Sequence, residues 1–200
     1  MKETKLIKNT SELRIILMQF MSILKDGKPF RMSKRQGNFV FFNDFIDAVG
    51  KDAASFFILD RSNDTHLEFD YDLAIQKSEQ NPVYYTQYAY ARICSILKKI
   101  KISNTKPDLS LLTQSQEISL IKEVLKLKDL LEEISNNYEV HSLTKYVILL
   151  AKSFHSFYQA CPIIQSDKKL QASRIALLNA TKITLELCFK IMNIQAKNKM

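Results

Sequence analysis

The densest group of reactive side chains in the sequence is Arg31-Met32-Ser33-Lys34-Arg35-Gln36-Gly37-Asn38, lying between two apolar segments. Gly37 lets the backbone turn closely, Lys34 supplies a mobile cation and Arg35 a forked one, so the loop suits phosphate groups. A plain basic surface loop is the other reading of the same composition. A second constellation follows downstream. Tyr85, Tyr88, Ala89 and Arg92 stand at i, i+3, i+4 and i+7, which puts two aromatic rings and a guanidinium on one helical face. Bases splayed from an RNA loop can stack on such a face while the arginine takes a phosphate or a base edge. Alternatively the tyrosines are core residues whose hydroxyls reach a partner. The acids Asp60, Asp64, Glu68, Asp70 and Asp72 bring no calcium-loop glycine and fit no standard spacing, so they read as solvated groups and helix caps, and no metal is expected. His66, His141 and His155 are isolated in the sequence and read as structural or surface residues.

The charge distribution separates the two constellations. Residues 1–80 hold 12 basic and 12 acidic side chains, whereas residues 81–200 hold 17 and 9, so the second part alone accounts for the net charge of +8. That basic part is the better polyanion binder, through attraction and counterion release, although acidic proteins and anionic membranes respond to the same field. Over the 200 residues, an apolar fraction of 46% is ample for a buried core. Cys94, Cys161 and Cys188 are widely spaced and odd in number, which implies neither a disulfide framework nor a zinc site and suits a reducing cytosol. The polar start MKETKLIKNTSEL lacks the apolar centre of a signal peptide, and no run reaches the length of a membrane span. A soluble, cytoplasmic protein with no membrane partner is expected.

Both constellations need elements to hold them. Glycine occurs only at Gly27, Gly37 and Gly50, so beyond residue 50 the chain should be helices joined by short polar turns. Residues 15–24 read as a strand or a short buried helix ending in the hairpin pair Asp26-Gly27, and residues 39–42 as a short strand. Asn43 then stands as an N-cap, with Asp44 in the first turn and Gly50 after the last. Further helices are expected over residues 52–60, over 73–79 after an acid-rich turn at 61–72, and over 82–99 with Pro82 at N1. Residues 101–113 read as a linker. From residue 115 the apolar period returns but slips near Leu127, predicting a bend or two helices. Leu143, Val147, Leu150, Phe154, Phe157 and Cys161 mark the next helix, stopped by Pro162. A last helix over 170–192 is apolar on most sides and should be central.

The order Arg31-Met32-Ser33-Lys34-Arg35 resembles the lysine-methionine-serine-lysine-serine signature of class I aminoacyl-tRNA synthetases, in the variant that arginyl enzymes use. Residues 44–59, DFIDAVGKDAASFFIL, resemble the helix pair that follows this loop in arginyl, cysteinyl and methionyl enzymes. Residues 64–72, DTHLEFDYD, and above all 81–97, NPVYYTQYAYARICSIL, resemble the arginyl family alone. Residues 19–27 and the segment Ser153 to Tyr158 with Cys161-Pro162 extend the likeness over about residues 15–200. Three departures stand out: Ser55 in place of an arginine, Tyr90 in place of a histidine, and Lys197 in place of a proline.

The resemblance implies a mainly α fold: a helical, DALR-type anticodon-binding bundle over residues 81–200, preceded over 1–80 by a small mixed region from the end of a class I catalytic domain. It implies that Lys34 stabilises charge on the triphosphate of ATP, brought with Mg as substrate of the complete enzyme, that Ser33 orients the loop, and that Arg31, Met32 and Arg35 complete the ATP site. It places Tyr84, Tyr85, Tyr88, Arg92, Phe157, Tyr158 and Met200 around the anticodon of tRNA-Arg, with Met200 matching the family's terminal methionine. A nucleotide-binding sheet and the histidine-containing first signature are missing from the sequence. The expected function is therefore the recognition and ATP-loop portion of an arginine-tRNA ligase, inactive alone and completed by a separately encoded amino-terminal catalytic half. The alternative is a stand-alone helical tRNA-binding or interaction module derived from a synthetase.

Overall fold

The computed structural model describes residues 14–29, 42–100, 105–164 and 166–200. A small sheet comes first. β1 (Met21–Lys25) pairs antiparallel with β2 (Lys28–Pro29) and parallel with β3 (Leu67–Asp70), in the order β2-β1-β3. The β1–β2 turn is Asp26-Gly27, with φ of 52° and 68°, the doubly positive geometry that twists a hairpin correctly and favours glycine. β3 was expected to be part of a turn. Its four residues instead alternate, Leu67 and Phe69 buried and Glu68 exposed, a period of two too short to stand out among the surrounding acids. Among the described residues upstream, 14–20 form no regular element, and Ile15, Leu17 and Phe20 lie exposed rather than in a strand or buried helix.

Among the described residues, three short helices connect the sheet to the bundle. α1 (Phe42–Val49) starts before Asn43, which is thus inside the helix, and residues 39–41 of the expected strand lie outside the described residues. Gly50, at φ 87°, separates α1 from α2 (Lys51–Leu59). Both ends of α2 are tied to the bundle by carboxylates. Asp52 accepts a bond from Gln87 at 2.9 Å, and Asp60 accepts one from Thr144 at 2.8 Å. Asp70 caps α3 (Tyr71–Ile75) by accepting from the Leu73 N–H, which shortens the helix expected over 73–79 and moves it upstream.

The bundle comprises α4 (Pro82–Lys99), α5 (Ser115–Asn137), α6 (His141–Ala160) and α7 (Lys168–Ile191), with a 3-10 turn at Leu109–Leu111 inside the expected linker. α6 and α7 touch each other and both α4 and α5, so α7 is central as its composition predicts. α4 begins at a firm stop. Asn81, 4% exposed, accepts from the Val83 N–H at 3.0 Å while its amide donates to the Ala74 and Gln76 carbonyls, so one side chain caps α4 and ends α3. Lys98 and Lys99 in the last turn suit the negative end of the helix.

α5 is one helix, not two. Leu120 and Leu127 are buried and Ile121, Val124, Leu130, Leu131 and Ile134 are half-buried, so both phases of the apolar pattern fall on one broad stripe facing α6 and α7. Chain reversals after α5 and α7 use left-handed residues other than glycine, Tyr138 at φ 65° and Asn193 at φ 57°. After α7 the Ile194 N–H bonds the Phe189 carbonyl and the Asn193 N–H bonds the Lys190 carbonyl, the double closure of a Schellman cap, with Ile194 itself buried. α6 ends because Pro162 has no N–H and drives Cys161 out of the helical region to φ −117°, ψ 94°.

A connected core extends from Ile23 to Ile194, through Phe45, Phe56, Phe69, Ile93, Leu150, Phe154, Phe157 and Phe189. Inside it lies an ion pair that the pattern of apolar residues does not announce. Glu117 is fully buried and Arg174 is 6% exposed, and the Arg174 Nε donates to the Glu117 carboxylate at 2.7 Å. The other Glu117 oxygen accepts the Gln114 N–H, and Arg174 also donates to the Pro162 carbonyl and the Ser166 hydroxyl. The start of α5, the end of α6 and the first half of α7 therefore meet at one guanidinium. Among the described residues no helix is long and apolar enough to cross a membrane.

Removing one partner of a buried ion pair leaves an uncompensated charge. Arg174→Met should lower unfolding stability by about 3–5 kcal/mol, with little dependence on salt because the site is shielded from it. Urea unfolding of both proteins at low and high salt checks this, and a loss below about 1 kcal/mol would show that the pair does not hold the helix junction.

Candidate nucleic-acid interface

The tyrosine-rich face of α4 lies against α6, and the two helices together build a strip of rings. Tyr84 and Tyr88, one turn apart, stack with centroids 6.4 Å apart and planes inclined by 8°. Tyr88 in turn stacks on His155 of α6 at 6.0 Å and 22°, while Tyr85 meets the same imidazole at 5.0 Å in a tilted arrangement. All four rings are half-buried, so each is fixed from beneath and retains an open edge or face. That combination suits a stacking platform better than a free surface ring does, because little side-chain freedom is left to lose when a ligand arrives.

His155 was isolated in the sequence and is central in space. Its Nε2 is buried without a hydrogen-bond partner among the described residues, and burial among rings lowers its pKa, with Glu79 opposing the depression and Arg92 adding to it. The imidazole is thereby kept neutral near pH 7, when it behaves as an aromatic surface. Burial and then the charge of Glu79 raise the Tyr85 pKa, so its phenol also stays neutral.

The strip continues to a cation. Arg92 is exposed on α4, and its guanidinium stands 4.9 Å from the centre of the Tyr158 ring and donates to the Tyr158 hydroxyl at 3.1 Å. These two residues border a groove of about 500 Å³ with Ser95, Lys99, Pro162 and Ile164. An arginine held on a ring face by cation–π attraction is pre-positioned for phosphate or for the edge of a base while much of its side-chain entropy has already been lost. Phe157 differs from its neighbour. It is fully buried and packs in the core, so it supports the strip from within and has no surface for a ligand.

On the other side of α4, Tyr84 and Met200 line a larger cleft, about 1200 Å³, between the start of α2, the α3–α4 connection and the segment after α7. Met200 is 45% exposed there. Lys51, Lys77, Lys190, Lys197 and Lys199 line this cleft against the acids Asp52 and Glu186, giving it a positive balance. Tyr84 thus belongs to both surfaces, and the structure brings Tyr84, Tyr85, Tyr88, Arg92, Tyr158 and Met200 to one side or other of α4. The lysines of the cleft escaped the sequence reading because they come from three separated segments and share no periodicity.

Tyr90 lies beneath, 2% exposed, edge-on to Phe189 with the Lys182 ammonium 5.4 Å above its ring. It is a packing residue. Lys197, the third departure noted above, pairs with Asp52 at 3.5 Å. The three cysteines are free and buried, and burial pushes the thiol of Cys188 up to about 12, so it stays protonated. Among the described residues no group of His, Cys, Asp and Glu is placed to hold a metal. Arg31, Met32, Ser33, Lys34 and Arg35 lie outside the described residues.

Comparison with known proteins bears on the same region. The family described as the DALR anticodon binding domain matches residues 86–200. An arginine–tRNA ligase of Vesicomyosocius okutanii is 40% identical over 96% of this chain, which covers 34% of that protein. A Campylobacter jejuni chain described as an arginyl-tRNA synthetase superposes with a TM-score of 0.85 at 34% identity, over 96% of this chain and 42% of that one. Arginyl-tRNA synthetase from Plasmodium falciparum gives a TM-score of 0.66 at 27% identity, over 77% and 27% of the two chains. The chain spans about a third of the length of the curated relative it matches. With its mainly helical bundle, small three-stranded sheet and ring-lined α4, the chain belongs to the DALR anticodon-binding domain family and corresponds to the carboxy-terminal part of an arginyl-tRNA synthetase.

Proposed function

We propose that the chain recognises the anticodon loop of tRNA-Arg through the ring strip on α4 and α6 and the lysine-edged cleft beside it, as the recognition portion of an arginine–tRNA ligase. The observation that carries this reading is the run Tyr84, Tyr88, His155, with rings stacked in sequence and half-open, flanked by Arg92 on Tyr158 at one end and by lysines at the other. Unpaired bases meet a platform of π-faces that holds its shape without them, and the lysines take the backbone phosphates. A base stacked on such a ring contributes about 1–3 kcal/mol. Met200, which lines the same cleft as Tyr84, supplies a soft apolar contact for a base edge.

Residues 81–200 act as the anticodon-binding domain and residues 1–80 as the end of the catalytic domain. In the second role Lys34, with Arg31, Met32, Ser33 and Arg35, neutralises the triphosphate of ATP, whose Mg arrives with it as substrate. That assignment rests on the likeness of the loop to the class I signature. The nucleotide-binding sheet and the arginine pocket come from an amino-terminal catalytic half, and the chain alone, in the cytoplasm, holds tRNA without charging it.

Titration with an RNA hairpin carrying an arginine anticodon loop should show affinity that falls steeply with salt, because phosphate contacts release counterions. Salt-independent binding, or none, would exclude the RNA reading. Arg92→Ala should weaken this binding by about 1–3 kcal/mol with unfolding stability nearly unchanged, since the side chain is exposed. Lys34→Ala should leave hairpin affinity unaltered yet reduce arginyl-adenylate formation when the chain is combined with a catalytic half. Equal adenylate formation by both proteins would remove Lys34 from the phosphate site, whereas arginine-dependent ATP turnover by the isolated chain would overturn the need for a second half.

A further inference from the structure

The segment after α7 is fastened by the buried Ile194, by the Cys94 thiol, which donates to the Asn198 side chain at 3.4 Å, and by a group of bonds that meet at one carboxylate. Asp52, in the first turn of α2, accepts the Gln195 N–H at 3.0 Å with one oxygen, and with the other accepts the Gln87 amide at 2.9 Å and pairs with Lys197 at 3.5 Å. Gln87 closes the triangle by donating to the Gln195 carbonyl at 2.8 Å, and it is 2% exposed on α4, one turn from Tyr84. Lys51, next to Asp52, donates to the Asn193 side chain at 3.1 Å. Three parts of the chain that sequence keeps far apart thus share one carboxylate: the helix pair near the loop, the tyrosine helix and the terminal segment.

Geometry makes that carboxylate a spacer for the cleft. Tyr84 on α4 and Met200 on the terminal segment both line it, and Asp52, Gln87 and Gln195, which line it too, bond α2, α4 and the terminal segment to one another. We propose that Asp52 is a positioning residue for RNA recognition: without touching RNA it holds the terminal segment that carries Met200 in the cleft that Tyr84 lines, so that a loop bound there also braces α2 against α4. The inference rests on the RNA reading above and deepens it, by adding a coupling between the recognition surface and the helix pair that follows the loop at residues 31–35. Coupling of this kind is reciprocal, so whatever fixes α2 also favours RNA in the cleft.

The test is a double-mutant cycle on the full chain with the same RNA hairpin, using Asp52→Ala, Met200→Ala and the two combined, together with amide hydrogen exchange at Gln195. Asp52→Ala should weaken the hairpin about tenfold, the scale for losing bonds to a charged group. It should also speed exchange at the Gln195 amide while leaving amides in the middle of α5 and α6 unchanged. In the Met200→Ala background the same substitution should cost about twofold or less, because the residue it positions has gone. Equal losses in both backgrounds, or a Gln195 amide as protected as in the parent, would overturn the proposal. If the alanine variant fails to fold, Asp52→Asn, which keeps the shape and one acceptor, takes its place with a loss of about threefold expected and the same dependence on Met200. Absence of binding by the unsubstituted chain would instead count against the RNA reading, while the exchange result would still decide whether Asp52 anchors the segment.

Discussion

The Arg174–Glu117 pair is the constraint around which the bundle is arranged. An ion pair with no access to water is a poor source of net stability, because desolvating both charges offsets most of their attraction. Its value lies in what it forbids. With Glu117 fully buried and Arg174 nearly so, any arrangement of α5 and α7 that separates them leaves a bare charge in apolar surroundings, and the guanidinium's bonds to Pro162 and Ser166 extend that condition to the end of α6. The stretch of α6 that this fixes carries His155 and Tyr158. A buried polar junction therefore sets where the half-buried rings of α6 stand, at a cost in stability that the apolar core offsets.

The rest of the surface depends on smaller constraints of the same kind. Asn81 fixes the start of α4 with bonds in both directions, so the phase of Tyr84, Tyr85 and Tyr88 around the helix follows from a single buried amide. Asp52 and Asp60 anchor the two ends of α2, and the left-handed caps at Tyr138 and Asn193 reverse the chain where the sequence offers no glycine. A left-handed conformation costs a residue such as tyrosine roughly 1–2 kcal/mol. Part of the compensation at Tyr138 is visible: the Arg14 guanidinium lies 4.3 Å from its ring centre.

The helices were legible where the apolar period was strong and the ends carried unambiguous stops. Pro82 after Asn81, and Pro162 after Cys161, mark boundaries by backbone chemistry alone, and α4 spans the residues expected of it. β3 was not legible because two inward residues give too short an alternation to outweigh five nearby acids, and it becomes a strand only because β1 offers an edge. The apparent bend in α5 came from treating the core face as narrow, when packing against two helices makes it wide. For the site, the spacing of Tyr85, Tyr88 and Arg92 identified one helical face correctly, but it could not supply His155 or the lysines of the cleft. Those are gathered by tertiary contacts between segments more than 140 residues apart at the extreme, which no local pattern encodes. Phe157 shows the converse: the family resemblance set it beside Tyr158 around the anticodon, yet adjacent residues on a helix point about 100° apart, and here one faces the core.

What makes this surface suited to unpaired bases is the intermediate burial of its rings. Fully exposed tyrosines would sample several rotamers and lose that freedom on binding, and fully buried ones would have no face to offer. Stacking Tyr84 on Tyr88 and Tyr88 on His155 spends that entropy during folding, so a base meets rings already parallel to one another. Keeping the imidazole neutral serves the same end, since a protonated His155 would need solvent or an anion at the place where a ring is wanted. The positive groups then sit outside the ring strip, on Tyr158 and around the cleft, where water can still reach them and where a phosphate backbone leaving the stacked bases would pass. Separating π-faces in the middle from cations at the margins lets the apolar contacts stay dry while the charged ones remain tunable by salt, and both follow from how α4 is wedged between α2, α6 and α7.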